Sequence, residues 1–223
     1  MKSKLNHLIN ISLVLLLTTI YGCGEKQETS SGKKMLLPVL GVKKASSENS
    51  TDTIYHTIGK FELINQYNEA VSENNTIGKN YVANFFFATC QSICPQMSTQ
   101  MIRVQNTFKN DSDFIILSHS VNPLHDTSEV LFAYAGKYQA IKNKWHFLTG
   151  NKKTIYDLAK NDYLVNALED DGTPEGFLHS ELFLLIDKER RIRGMYDGTD
   201  SIQVNQLIED IRLLKTESTE IKK

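Results

Sequence analysis

What this chain lacks narrows its function early. No Gly-x-Gly-x-x-Gly run and no Walker-type loop occurs, so nucleotide binding has no support. Charge of one sign is missing too: 25 Lys and Arg stand against 26 Asp and Glu, a formal net charge of −1. There is no basic stripe and no aromatic-basic interleaving, so nucleic acid has no footprint here. Internal repeats are absent. The longest apolar stretch, Leu8 to Ile20, is broken by Asn10, Ser12, Thr18 and Thr19. It falls short of the about 20 residues that a membrane-spanning helix needs. Cysteine is scarce, with three in 223 residues. That length suffices for one medium domain with tails. The hydrophobic share of 40% is slightly low for a globular chain, as long polar ends would make it.

The N-terminus reads as an export signal. Lys2 and Lys4 precede the apolar stretch, and Ile20-Tyr21-Gly22-Cys23 follows it. That ending resembles a bacterial lipobox, in which the cysteine carries the lipid and becomes the mature N-terminus. Tyr21 is bulky for such a site. The plainer alternative is an ordinary signal or uncleaved anchor with a chance cysteine. On the lipoprotein reading, residues 1–22 are the signal peptide and residues 23–34 a lipidated, polar tether. The domain then spans 35–215 and a charged, frayed tail 216–223. The protein is expected in the bacterial cell envelope, with its domain on the periplasmic side. Only Cys90 and Cys94 remain as thiols, in a compartment that oxidises unprotected pairs.

The middle of the chain alternates in period. Met35 to Val42 reads as an edge strand joining the domain, and Thr53 to Ile58 and Lys60 to Ile64 as short strands. Tyr81 to Phe87 is a β-prone run suited to burial on both faces. Met97, Met101, Val104 and Phe108 follow at helical spacing, with Pro95 in the first turn. Phe114 to Val121 is a second buried strand. Asp126 to Ala140 reads as a helix capped by Asp126 or Thr127. Trp145 to Leu148 is a strand and Lys152 to Lys160 a helix. Glu181 to Asp187 and Ile192 to Tyr196 form a hairpin, and Ile202 to Leu214 a last helix. The order β-α-β-α-β-α, then β-β-α, is thioredoxin topology. The expected fold is α/β and thioredoxin-like: a central mixed sheet flanked by helices, with extra N-terminal strands.

Cys90 and Cys94 lie in Asn84 to Pro95 (NFFFATCQSICP), where a strand runs into a helix start. A helix N-terminus favours thiolate over thiol. On one helical turn, residues four apart have Cα atoms ~6.2 Å apart, within disulfide range. The same spacing lets both sulfurs reach one metal ion, so spacing alone leaves redox chemistry and metal binding open. Three residues separate the cysteines, not the two of the usual thioredoxin loop. His179, in the turn-rich loop Gly172 to Ser180, is the candidate third ligand. In a thioredoxin topology that loop lies at the cysteine end of the sheet. Two thiolates and an imidazole select Cu(I), and also take Cu(II) or Zn(II).

These motifs resemble the Sco/SenC family of copper-binding thioredoxin-like proteins, over roughly Leu36 to Leu214. The family pattern is Cys-x-x-x-Cys-Pro after an apolar strand, then a late His before a strand ending in Asp. Here these are Cys90, Cys94, Pro95, His179 and Asp187. Ser120-Val121, Pro123 and Asp126-Thr127 match a second stretch, and Tyr196-Asp197-Gly198 a third. One departure is Asn122, where the family usually has Asp beside the metal site. The resemblance implies copper as cargo, held by Cys90, Cys94 and His179. It also implies delivery to the dinuclear centre of cytochrome c oxidase, with the copper-bearing subunit of that enzyme, or another copper or redox protein, as client.

Plainer readings stand beside these. Without His179 the cysteine pair reads equally as a structural disulfide; with it, the functional reading is favoured. Met97 and Met101 are spaced for the core, and Phe85, Phe86 and Phe87 are core residues first. His119 reads as a satisfied core group, while His56 and His146 fall in strands away from the cysteines. The basic run Lys188 to Arg193 reads as a solvated hairpin. Two other functions compete with copper delivery: thiol-disulfide exchange on an exported or membrane client, and a structural or redox-sensing lipoprotein without metal. A peroxiredoxin-like peroxidase is weaker, because Thr89 adjoins Cys90 instead of preceding it by three.

Overall fold

The computed structural model describes residues 36–41, 44–45, 53–165 and 180–220. Cys23, the tether and His179 lie outside them. Among the described residues no helix is long and apolar enough to cross a membrane.

Thirteen strands and helices follow in order. They are β1 (Lys44–Ala45), β2 (Thr53–Ile54), β3 (Glu62–Asn65), β4 (Ala70–Ser72), β5 (Asn80–Phe86) and α1 (Ile93–Thr107). Then come β6 (Phe114–Ser120), α2 (Ser128–Lys137), β7 (Trp145–Thr149), α3 (Lys152–Asp157), β8 (Leu182–Ile186), β9 (Ile192–Asp197) and α4 (Ser201–Glu220). β1 and β2 pair as a separate ribbon, and the rest form one sheet in the order β4-β3-β7-β6-β5-β8-β9. β5, β6 and β7 are parallel, and the flanking strands antiparallel. This is the expected mixed thioredoxin-like sheet.

Every residue of β5 and β6 is buried, as central parallel strands require. One face of the sheet packs against α1, α2 and α4. There Phe86 meets Tyr134 at 5.1 Å between ring centroids, and the Ser98 and Tyr134 hydroxyls lie 3.1 Å apart. On the other face α3 continues into a π-type turn, Leu158–Asp162, that seats Tyr163 against Phe85. Met97 and Met101 are 1% exposed and belong to the core, as their spacing indicated.

Four expectations are corrected. Leu36 to Leu40 joins the domain, but not as a strand. It is held by Leu40 N–H on the Ile192 carbonyl at 2.8 Å and by Arg193, which donates to the carbonyls of Leu37 and Pro38. The basic hairpin is solvated only in part: Lys188, Arg190 and Arg191 stay part-exposed, but Arg193 is 6% exposed and pairs with Asp187 and Glu217. α4 runs past Leu214 to Glu220, and its added turn brings the Glu217 carboxylate onto the buried Arg193. His119 is buried but unsatisfied: neither ring nitrogen has a hydrogen-bond partner among the described residues.

Gly198 is a close-approach glycine. A Cβ there would lie 2.6 Å from the Phe183 ring, and its N–H donates to the Glu181 carbonyl at 2.7 Å.

Candidate metal centre

The chain leaves β5 at Phe86 and turns before α1 begins at Ile93. Cys90 therefore sits in the turn and Cys94 in the first helical turn. The Cys90 N–H donates to the Phe87 carbonyl at 3.2 Å, which tightens the turn. Ser92 occupies the N-cap but makes no side-chain cap bond. Its hydroxyl instead lies 3.6 Å from Cys90 Sγ. A cap residue is thus diverted to a sulfur.

Both cysteines are buried, unbridged thiols. Burial opposes the thiolate at Cys90. Hydrogen bonds from the thiol and backbone of Cys94 and from the hydroxyl and backbone of Ser92 outweigh it, and the Cys90 pKa falls below the ordinary thiol value. Cys94 moves the other way. Burial pushes its thiol up, and the proximity of Cys90 and the charge of Asp126 add to the rise. The pair is therefore polarised, with Cys90 the sulfur that ionises first.

Asp126 braces this turn from below. It is fully buried, and its Oδ2 accepts the Ala88 N–H at 3.0 Å and the Ser120 hydroxyl at 2.5 Å. Oδ1 lies 2.9 Å from Nδ1 of His125, which is half exposed. Ala88 immediately precedes Thr89-Cys90, so a buried carboxylate fixes the backbone that presents the first thiol. Asp126 does not cap α2. Thr127 does, accepting the Val130 N–H at 3.4 Å. Asn122 lies in the loop after β6, where its carbonyl accepts the N–H groups of His125 and Asp126.

Asp187 serves the hairpin. It accepts the Glu189 and Arg191 N–H groups and binds both Arg191 and Arg193. His56 bonds the Asp162 carbonyl and His146 faces Asn65, and neither approaches the cysteines. Among the described residues, no cluster of three His, Cys, Asp or Glu is placed to hold a metal ion. The structure thus supplies two sulfur donors. Ser92 is the site residue that sequence reasoning missed, and the bracing role of Asp126 was unread although the residue itself was noticed. The signals for them were a Ser at the N-cap position and an Asp inside a motif already noticed.

Comparison with known proteins places this geometry. A sequence model of the SCO1/SenC family matches residues 49–215. The SCO1 protein homolog of Bacillus subtilis is 26% identical over 167 residues, covering 74% of this chain and 86% of that protein. A SCO1/SenC family lipoprotein from Bacillus anthracis is 28% identical in its crystal structure. The TM-score is 0.65, over 72% of this chain and 95% of that one. BsSco is described as a member of the Sco family of cytochrome c oxidase assembly proteins with a disulfide switch. It is 26% identical, with a TM-score of 0.63 over 72% of this chain and 94% of that one. Copper-bound ScoI from Bradyrhizobium japonicum shares the fold at 20% identity and a TM-score of 0.60, over 71% of this chain and 99% of that one. With the family model matched across the whole described sheet and the Cys90–Cys94 turn at its centre, the chain belongs to the SCO1/SenC family.

Proposed function

We propose that this protein is a copper chaperone of the cell envelope that helps load the dinuclear copper centre of cytochrome c oxidase. Cys90 and Cys94 supply the two thiolates and His179 the imidazole. Copper is the cargo. The observation that carries the reading is the Cys90–Cys94 pair, with one thiol already tuned toward thiolate, at the strand-to-helix turn of a Sco-family domain. A metal-binding thiol must lose its proton, and a lowered pKa makes that easier at neutral pH. Such a soft pair suits Cu(I). Asn122 in place of the family's usual Asp removes one negative charge near the site, which alters the tuning of copper more than its capture. Lipidation at Cys23 would hold the domain beside a membrane-bound client, and the family likeness to a described lipoprotein supports it.

Anaerobic copper titration of the reduced protein tests this, wild type beside His179→Ala. Tight one-to-one binding that the substitution weakens clearly is the expected result. Binding indifferent to His179 removes the three-ligand site.

A second reading is favoured by the polarity of the pair. One thiol lowered and its neighbour raised is the arrangement of an attacking and a resolving cysteine, and a disulfide switch is described for BsSco. Thiol-disulfide exchange with a client predicts activity that survives His179→Ala and is lost in Cys90→Ser.

A further inference from the structure

The opposite end of the sheet carries a second concave feature. The loops that lead into β5, β6 and β7 meet there and border an open pocket of about 380 Å³. Cys90 and Cys94 follow the far end of β5. Seven strand residues at ~3.3 Å each put the two ends roughly 20 Å apart. Lys79, Lys109, Lys142 and Lys144 line the pocket, with Asp111 the one acidic group among the lining residues.

The nearby carboxylates are already engaged. Asp111 pairs with Lys215, and Glu69 pairs with Lys142 at 3.2 Å. Among the described residues no carboxylate lies within ion-pair distance of Lys79, Lys109 or Lys144. Three lysines without an ion-pair partner thus line one hollow in a chain of net charge −1. Lys79 Nζ donates to the Asn75 carbonyl at 2.9 Å, and at Lys144 burial lowers the pKa while the Asp111 charge partly offsets that. Lys144 is also fixed in place. It is 6% exposed, and its Nζ donates to the carbonyls of Asp111 and Phe114, the latter at 2.6 Å. An ammonium has three hydrogens, so one remains for a ligand. Ser112 and Asn143 add polar side chains to the lining.

We propose that this pocket binds a phosphate group, seated among Lys79, Lys109 and Lys144. A cleft lined by one sign of charge focuses its field and gathers the opposite ion. Lysines act on phosphate as point charges, and a dianion with several terminal oxygens meets three of them better than a single carboxylate would. The volume lies in the range of small-molecule sites. The phosphate belongs either to a small soluble molecule or to the headgroup of an anionic lipid. The proposal stands apart from the thiol chemistry and does not depend on copper.

Isothermal titration of the full chain with inorganic phosphate at low ionic strength tests it, with two double variants. Lys79→Ala/Lys109→Ala removes two pocket charges. Lys153→Ala/Lys160→Ala removes the same charge from the α3 region. Saturable binding by wild type, weakened tenfold or more in the first double and unchanged in the second, supports the site. Co-sedimentation with phosphatidic acid and phosphatidylcholine vesicles distinguishes the source, since phosphatidic acid presents a phosphomonoester with the terminal oxygens the site would hold. A preference for the anionic vesicles that depends on Lys79 and Lys109 assigns the headgroup. Phosphate binding without that preference assigns a soluble ligand. Equal losses in the two doubles, or no saturable binding in either assay, overturns the proposal. Copper uptake in the same samples reports on the thiol end separately.

Discussion

Phenylalanine in place of His119 separates that ring's packing from its nitrogens. His119 is fully buried and stacks on Phe85 at 5.1 Å between centroids, with Phe61 and Tyr163 around it. Neither nitrogen is bonded among the described residues, and burial alone holds its pKa down at about 3. In the unfolded chain a histidine titrates near ~6.5. A pKa depressed by folding contributes stability that is complete above the unfolded value. That stability is lost as pH falls toward the folded value. Between pH 7 and pH 5 the unfolded chain takes up this proton and the native protein does not. Integrated over that interval, the linkage amounts to about 2 kcal/mol. Wild type should therefore lose about 2 kcal/mol through His119 alone, and His119→Phe should not. The variant also removes two unpaired buried nitrogens, whose burial costs on the order of 1–3 kcal/mol, against about 1 kcal/mol or more for a larger ring. Urea unfolding of both proteins at the two pH values measures this. Other titrating groups act in both, so the difference between the two pH responses isolates His119. A variant whose stability falls with pH as steeply as wild type refutes the reasoning.

Three further outcomes are expected. Arg193→Ala strands the buried carboxylates of Asp187 and Glu217 and should cost about 3–5 kcal/mol in chemical denaturation. It should also free the Leu37–Pro38 segment for proteolysis; full wild-type stability would show that the network is idle. Asp126→Ala leaves the Ala88 N–H and Ser120 hydroxyl without their acceptor and should cost about 1–3 kcal/mol. By removing a nearby negative charge it should also lower the pH at which Cys94 is alkylated, and an unmoved alkylation profile would separate Asp126 from the thiol pair. With wild type, mass-spectrometric mapping of brief alkylation near pH 7 should find Cys90 modified before Cys94, since their pKa values lie on opposite sides of an ordinary thiol. Equal labelling would contradict the polarised pair.

Much of the fold was legible because its signals are local. β5 and β6 are apolar runs of strand length, α1 shows its Met97–Met101–Val104 stripe, and the parallel order follows from alternation. The short edge strand β4 carried no such signal, and Leu36 to Leu40 looked like a strand because apolar residues alone do not reveal whether a ladder partner exists. What holds that segment is Arg193, 155 residues from Pro38. The basic hairpin misled for the same reason. Its charges look solvated until Glu217, from the last turns of α4, is brought against them.

The cysteine pair was legible by spacing, but the group that braces it was not. Asp126 and Thr127 each satisfy the sequence rule for an N-cap, and local pattern gives no reason to prefer one. The preference comes from two donors elsewhere in the chain. Ser120 ends β6 and Ala88 follows β5, and both need an acceptor where the two parallel strands stop together. An unsatisfied buried N–H costs about as much as a cap contributes, on the order of 1 kcal/mol or more. Asp126 Oδ2 accepts both bonds, and its Oδ1 is left for the His125 ring nitrogen. Asp126 therefore turns inward and Thr127 takes the cap. The inward turn places a negative charge near Cys94, which adds to the separation of the two thiol pKa values. The polarity of the cysteine pair is thus set partly by where two strands end, which no window of sequence around Cys90 contains.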